Sequence, residues 1–211
     1  MYRVNFNPAI YFVLDPSLCA GRKAAQVALA AAKGGVTMIQ YRNKSGNMSE
    51  ILAEAGYIAE LLKPFNIPFL INDYVDVAFA VGAHGVHLGQ GDASPQEARA
   101  KLDENAIIGQ TVFTEEQIAA LDPSIVDYIG TGPFYPTKTD KGKPVLGAQK
   151  FAELVKLSPV PVVGIGGITP QNAPAVIKAG AQGVAMMRSM SEAGNVEEAA
   201  RSFQVSLRGT K

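Results

Sequence analysis

The sequence is poor in the features that mark secreted, membrane-spanning or polyanion-binding proteins. It has one cysteine in 211 residues, so neither an intramolecular disulfide nor a cysteine-built metal cluster is open to it. A lone Cys19 suits a reducing compartment. Neither charge is in excess, since 19 Lys and Arg balance 19 Asp and Glu. That balance excludes the broad basic field of nucleic-acid binders, although not a local anion pocket. Long apolar runs are missing too. The alanine-rich stretch 24–32 contains Gln26 and falls short of the ~18 residues a spanning helix needs. Residues 1–8 hold no apolar run of signal-peptide length, and a cytoplasmic protein with no membrane or nucleic-acid partner is the expectation. What the chain does have is 47% hydrophobic residues and 21 glycines. The first supplies a large core and excludes disorder; the second is about half as much again as the usual ~7%.

Short apolar runs alternate with longer helical stretches to the end of the chain. Strands are expected at 10–14, 36–41, 67–71, 85–88, 106–111, 126–130, 160–165 and 182–187. Helices are expected at 22–33, 49–63 with Ser49 as N-cap, 75–81, after Ser94-Pro95, after the capping-box pattern Thr114 to Gln117, up to Lys156, at 170–179, and from near Ser191 toward Leu207. About eight strand–helix units imply a parallel sheet with right-handed crossovers. They fit a (β/α)8 TIM barrel occupying residues 1–211 as a single domain. An open doubly wound sheet is the competitor, but it wants fewer strands and a glycine-rich loop after the first. Here Leu14-Asp-Pro-Ser-Leu18 follows instead.

A barrel carries its active site at the C-terminal ends of its strands. Those positions hold Gln40, Arg42 and Lys44; Asn72 and Asp73; His87, Gln90 and Asp92; Thr111; Thr137, Lys138, Thr139 and Lys141; Gly164 to Gly167; and Arg188 with Ser189. Gly166-Gly167 before Thr169-Pro170 reads as a phosphate site, where bare backbone N–H groups and a helix N-terminus approach an anion; a tight turn is the plainer reading. Asp73 and Asp92 read either as a pair for Mg²⁺, which takes oxygen ligands, or as caps of the helices that follow. Arg42 and Lys44 share the parity of Gln40 and suit a diphosphate at the mouth, or else lie in a solvated loop. The two histidines make no metal pair: His87 reads as barrel packing and His84 as surface. Tyr57, Phe65, Met186 and Met187 read as core.

Five segments occur in order: Gln40-Tyr-Arg-Asn-Lys44, Leu70-Ile-Asn-Asp73, Gly85-Val-His-Leu-Gly-Gln90 through Asp92, Gly130-Thr-Gly-Pro133 with Pro136-Thr-Lys-Thr139, and Gly164-Ile-Gly-Gly-Ile168. Together they resemble the thiamine-phosphate synthase family across residues 11–190. The resemblance implies a transferase that joins a hydroxymethylpyrimidine diphosphate to a thiazole phosphate, releases diphosphate and uses Mg²⁺. A carboxylated thiazole would lose CO₂ after coupling. By position, Gln40 would bond the aminopyrimidine, with Thr111 where the family has a serine. Arg42, Lys44 and Asn72 would grip the diphosphate, and Asp73 and Asp92 would hold Mg²⁺. Thr137 and Thr139 would meet the thiazole, and Gly166, Gly167, Met187 and Arg188 its phosphate.

Departures from the family pattern are Asp140 in place of a lysine, Arg188-Ser189 in place of valine-serine or serine-alanine, and Tyr74 in place of arginine. The lysine's role passes to Lys141, with Lys138 and Lys143 as rivals. One alternative reading is a thiazole tautomerase, which shares the barrel but wants a histidine where Gly132-Pro133 stands. Another is a non-catalytic thiamine-phosphate-binding relative, suggested by Asp140.

Overall fold

Alternation along the strands sorts the apolar residues into two separate cores. The computed structural model describes residues 5–139, 142 and 144–210. Its strands are β1 (Ile10–Leu14), β2 (Met38–Tyr41), β3 (Phe69–Asn72), β4 (Gly85–Leu88), β5 (Ile107–Thr111), β6 (Tyr128–Thr131), β7 (Val162–Ile165) and β8 (Gly183–Met186). Helices among the described residues are α1 (Ala24–Lys33), α2 (Met48–Leu62), α3 (Val75–Ala80), α4 (Pro95–Leu102), α5 (Glu115–Ala119), α6 (Gly147–Leu157), α7 (Ala173–Lys178), α8 (Arg188–Ser191) and α9 (Val196–Leu207). The strands close in sequence order into one parallel barrel, with β8 returning to β1 through Ile10↔Val184 and Tyr11↔Ala185. The expected (β/α)8 barrel stands, and the open sheet does not.

Tyr11, Val13, Met38, Leu70, Ile107, Tyr128, Val163 and Ala185 point inward as one cluster, onto which Phe6, Ile165 and Met187 pack. Their strand neighbours Phe12, Ile39, Ile71, Val86, Ile108, Ile129, Val162 and Val184 point outward and bury the apolar faces of the helices. The same inward parity, carried one step further up the strands, delivers Gln40, Asn72, His87 and Thr111 to the C-terminal mouth. A residue type that would be expensive inside the packed cluster therefore sits where the interior opens.

Helix ends follow local capping chemistry, which corrects several expected boundaries. Asn47, not Ser49, caps α2: its side chain accepts from Glu50 N at 3.0 Å while Glu50 accepts from Asn47 N at 3.3 Å. Only Asn47 has a glutamate three residues on, so the reciprocal pair settles the start there. Ser94 caps α4 as expected, accepting from Glu97 N at 3.2 Å. Ser94→Ala is expected to cost about 1 kcal/mol, read as a lower urea midpoint; an unchanged midpoint contradicts that assignment. Thr114 caps α5, but Gln117 reaches back to Phe113 N at 2.6 Å rather than to the cap itself.

The expected helix at 170–179 begins only at Ala173, because residues 170–172 form a turn. The single final helix is two, α8 and α9, since Gly194 interrupts the run and Asn195 caps α9 by accepting from Glu198 N at 3.1 Å. Tyr57, expected in the core, is 64% exposed. It lies off the buried stripe of α2, which is Ile51, Ala55, Ile58 and Leu62 at the spacing of one helical face. Among the described residues no helix is long and apolar enough to cross a membrane.

Candidate active site at the mouth of the barrel

The strand ends enclose a cavity of about 760 Å³. Of the residues picked out by sequence, Gln40, Arg42, Lys44, Asn72, Asp73, Asp92, Thr111, Thr137, Lys138, Thr139, Gly166, Gly167, Met187 and Arg188 all line it. Lys141, with Asp140 and Lys143, lies outside the described residues. Met187 is partly exposed to the cavity rather than belonging wholly to the core, whereas Met186, which also touches the cavity, is buried as expected.

On the side built by β2, β3 and β4, cations and carboxylates interleave. Arg42 keeps the parity of Gln40 past the end of β2, and its Nη1 meets Asp15 Oδ2 at 2.6 Å. Asp15 is buried and receives Ser17 N and Oγ on its other oxygen at 3.0 and 2.6 Å. It thus fixes the guanidinium from behind. In the sequence Asp15 is only the residue that follows a strand. Lys44 Nζ meets Asp73 Oδ2 at 2.6 Å.

Neither aspartate caps a helix. Asp73 holds a left-handed backbone at φ +64° and donates its N–H to His87 O at 2.9 Å, while α3 has Tyr74 at its N-cap and no side-chain cap. A non-glycine residue there is uncommon, and it turns the carboxylate toward the cavity mouth. Asp92 Oδ2 accepts from Gly89 N at 2.6 Å, closing the turn after β4, and Ser94 does the capping. Burial pushes the Asp73 carboxyl up from its ordinary range; Lys44 pulls it down, and the Asp92 carboxylate within hydrogen-bonding reach pushes it up again. Two carboxylates so close resist joint ionisation unless a cation lies between them. With oxygen donors only and no third His, Cys, Asp or Glu in the group among the described residues, the pair fits a hard cation that takes its remaining oxygens from water or phosphate. A cation bound there would compete with protons for the Asp73 carboxyl.

On the opposite side, the loop after β7 carries two consecutive glycines in left-handed conformations, Gly166 at φ +101° and Gly167 at +63°. A Cβ on Gly166 would stand 2.5 Å from Pro133 Cβ, and one on Gly167 2.5 Å from Pro136 O. Only glycine meets both demands, conformational and steric. The turn 170–172 leads into α7, whose N-cap residue Asn172 meets this loop, accepting from Thr169 N at 2.8 Å and donating to Gly167 O at 3.0 Å. The helix that opens directly onto the mouth is the short α8, beginning at Arg188, a recurrent feature of phosphate sites in this fold. Arg188 bridges the β6 loop through Thr139 Oγ1 at 3.1 Å and pairs with Glu192.

Sequence reading missed the floor. His87 does lie in the barrel interior, but it faces the cavity, with Nδ1 2.9 Å from Tyr128 Oη and Nε2 2.8 Å from Thr111 Oγ1. Burial lowers its pKa to about 4, so it is neutral at pH 7. Tyr11 joins the same network. Inward parity along β1, β4 and β6 was the available signal. His84 is exposed, as expected, and accepts from Phe69 N at 3.2 Å.

The sequence pattern of thiamine monophosphate synthase matches residues 10–190. A thiamine-phosphate synthase of Azorhizobium caulinodans is 42% identical over 201 residues, covering 94% of each chain. One of Bacillus licheniformis is 36% identical, covering 96% of this chain and 92% of its own. Among solved structures, a thiamine phosphate pyrophosphorylase from Pyrococcus furiosus superposes with a TM-score of 0.86 at 29% identity, covering 97% of this chain and 98% of its own. Motifs, barrel and relatives agree: the chain belongs to the thiamine-phosphate synthase family of transferases.

Proposed function

We propose that the cavity joins a hydroxymethylpyrimidine diphosphate to a thiazole phosphate, yielding thiamine phosphate and diphosphate in the cytoplasm. One observation carries this reading: a single cavity has two ends whose linings suit phosphate groups. Arg42, Lys44, Asp73 and Asp92 surround β3, and Gly166, Gly167 and Arg188 surround β7, which stands opposite in a ring of eight. Gln40 and Thr111 lie at the mouth between them.

In the reaction, the bond between the pyrimidine methylene carbon and the bridging oxygen breaks, and the oxygen leaves with the electron pair. The carbon's positive charge spreads into the electron-rich aminopyrimidine. The thiazole nitrogen then donates its lone pair to form the new C–N bond. Such chemistry needs charge neutralisation and positioning more than proton transfer. Arg42 and Lys44 face the charge that builds on the departing diphosphate, with Asn72 as a neutral donor beside them. Asp73 and Asp92 would hold Mg²⁺, which when bound supplies divalent charge to the leaving group. Thr137 and Thr139 orient the thiazole. Lys138 of the same loop lines the cavity, while Lys141, to which the sequence assigns the lysine's role, lies outside the described residues; Gly166, Gly167, Met187 and Arg188 take the thiazole phosphate. The tautomerase alternative lacks a free base: His87 is the one histidine lining the cavity among the described residues, and both its nitrogens are engaged.

Purified protein given both substrates and Mg²⁺ is expected to form thiamine phosphate, and chelation by EDTA to stop it. No product in either condition would sink the synthase reading and favour the non-catalytic alternative. Equal rates in both would leave the coupling but remove the metal.

A further inference from the structure

Under the cavity mouth, five side chains from five strands form one unbranched hydrogen-bond chain. Gln40 Nε2 donates to Tyr11 Oη at 2.5 Å. Tyr11 Oη lies 2.8 Å from Tyr128 Oη, Tyr128 Oη 2.9 Å from His87 Nδ1, and His87 Nε2 2.8 Å from Thr111 Oγ1. One arrangement gives every buried hydrogen of the chain a partner. An amide nitrogen has only hydrogens to give, so the Tyr11 oxygen accepts from Gln40, and in that arrangement it gives its own hydrogen to Tyr128. Tyr128 passes its hydrogen to His87 Nδ1. A neutral imidazole then carries its one hydrogen on Nε2 and gives it to Thr111 Oγ1. Thr111 is left with a hydrogen for the cavity, and Gln40 with its carbonyl oxygen.

The surroundings are shaped for these rings. A Cβ on Gly109 would come within 2.1 Å of Tyr128 Cζ, and one on Gly130 within 3.2 Å of His87 Cε1. Tyr11 meets Tyr128 edge-on with centroids 5.8 Å apart, and Phe6 packs on Tyr128 at 5.7 Å. Burial keeps both tyrosines protonated, raising their pKa values. Hydrogen bonds linked in such a chain polarise and strengthen one another.

We propose that the Tyr11–Tyr128–His87 chain locks Gln40 as an acceptor and Thr111 as a donor, so that the pair reads an exocyclic amino group beside a ring nitrogen. The inference rests on the assignment of Gln40 and Thr111 to the pyrimidine. Tyr11, Tyr128 and His87 are positioning residues for that recognition, and His87 works as an Nε2–H tautomer rather than as a base.

The test uses ¹⁵N-labelled protein and aminopyrimidine diphosphate. With only two histidines, long-range ¹H–¹⁵N spectra assign the His87 tautomer directly. The Nε2–H form is expected in the complex. Tyr128→Phe, which cuts the chain at its centre, is expected to raise KM for the pyrimidine diphosphate about tenfold. KM for the thiazole phosphate should stay unchanged, and the His87 signals should move toward a tautomer mixture. Tyr11→Phe, cutting elsewhere, should reproduce the KM change. An Nδ1–H tautomer in the wild-type complex overturns the proposal, as does Tyr128→Phe with unaltered pyrimidine KM. Failure of the wild type to bind the pyrimidine diphosphate overturns the pyrimidine assignment and the relay together; binding with the wrong tautomer overturns the relay alone.

Discussion

Asp92→Asn is expected to lower kcat/KM for coupling about thousandfold, roughly 4 kcal/mol of transition-state stabilisation, the range set by losing a metal-held charge at a leaving group. The substitution is a clean one. Asp92 Oδ2 accepts from Gly89 N at 2.6 Å, and the asparagine carbonyl can keep that bond, so the turn after β4 survives while one negative charge is gone. Asp73→Asn should behave alike in activity. Its Tm should change little, because asparagine tolerates the left-handed backbone at φ +64°, and losing the half-exposed Lys44 pair is set against relief of the repulsion from Asp92. Steady-state kinetics over a Mg²⁺ series, with thermal melts alongside, check both. Activity within threefold of wild type in Asp92→Asn refutes the metal assignment.

Arg42→Ala is expected to reduce kcat/KM several hundredfold, since a preorganised cation aimed at developing negative charge is worth about 10²–10³ in rate. Here a second effect must be separated from the first. Asp15 is buried against Arg42 at 2.6 Å, and removing the guanidinium strands that carboxylate, a change that destabilises a protein by about 3–5 kcal/mol in fully buried cases. With the Arg42 side chain about a quarter exposed, the loss should be smaller. Adding Asp15→Asn to Arg42→Ala should therefore recover Tm without recovering activity. If it restores activity too, Arg42 acts only through folding and does not meet the diphosphate.

The split between these two substitutions reflects what a sequence can convey. The barrel was legible because strand parity and helix caps are local: β1 and β4 fall where the apolar runs placed them, and Ser94 with Pro95 marks α4 by itself. The mouth was legible for a related reason, since counting two residues on from Gln40 reaches Arg42 and then Lys44. Contacts set by closure of the barrel were not. Nothing near Asp15 in the chain announces Arg42, 27 positions on. Likewise Tyr128 reaches Tyr11 only because β1 and β6 face each other across the interior. Helix boundaries failed where two capping residues compete, as at Asn47 and Ser49, or where a short turn is spelled like a helix, as at 170–172. Tyr57 shows the limit of composition: an aromatic ring reads as core until the helix phase puts it in solvent.

A crystal structure of the protein grown with Mg²⁺ and diphosphate shows whether one end of the mouth seats a metal-bound diphosphate. The metal is expected on Asp73 and Asp92, with the diphosphate against Arg42 and Lys44; diphosphate bound elsewhere, or held there with the two aspartates turned away, would overturn that assignment.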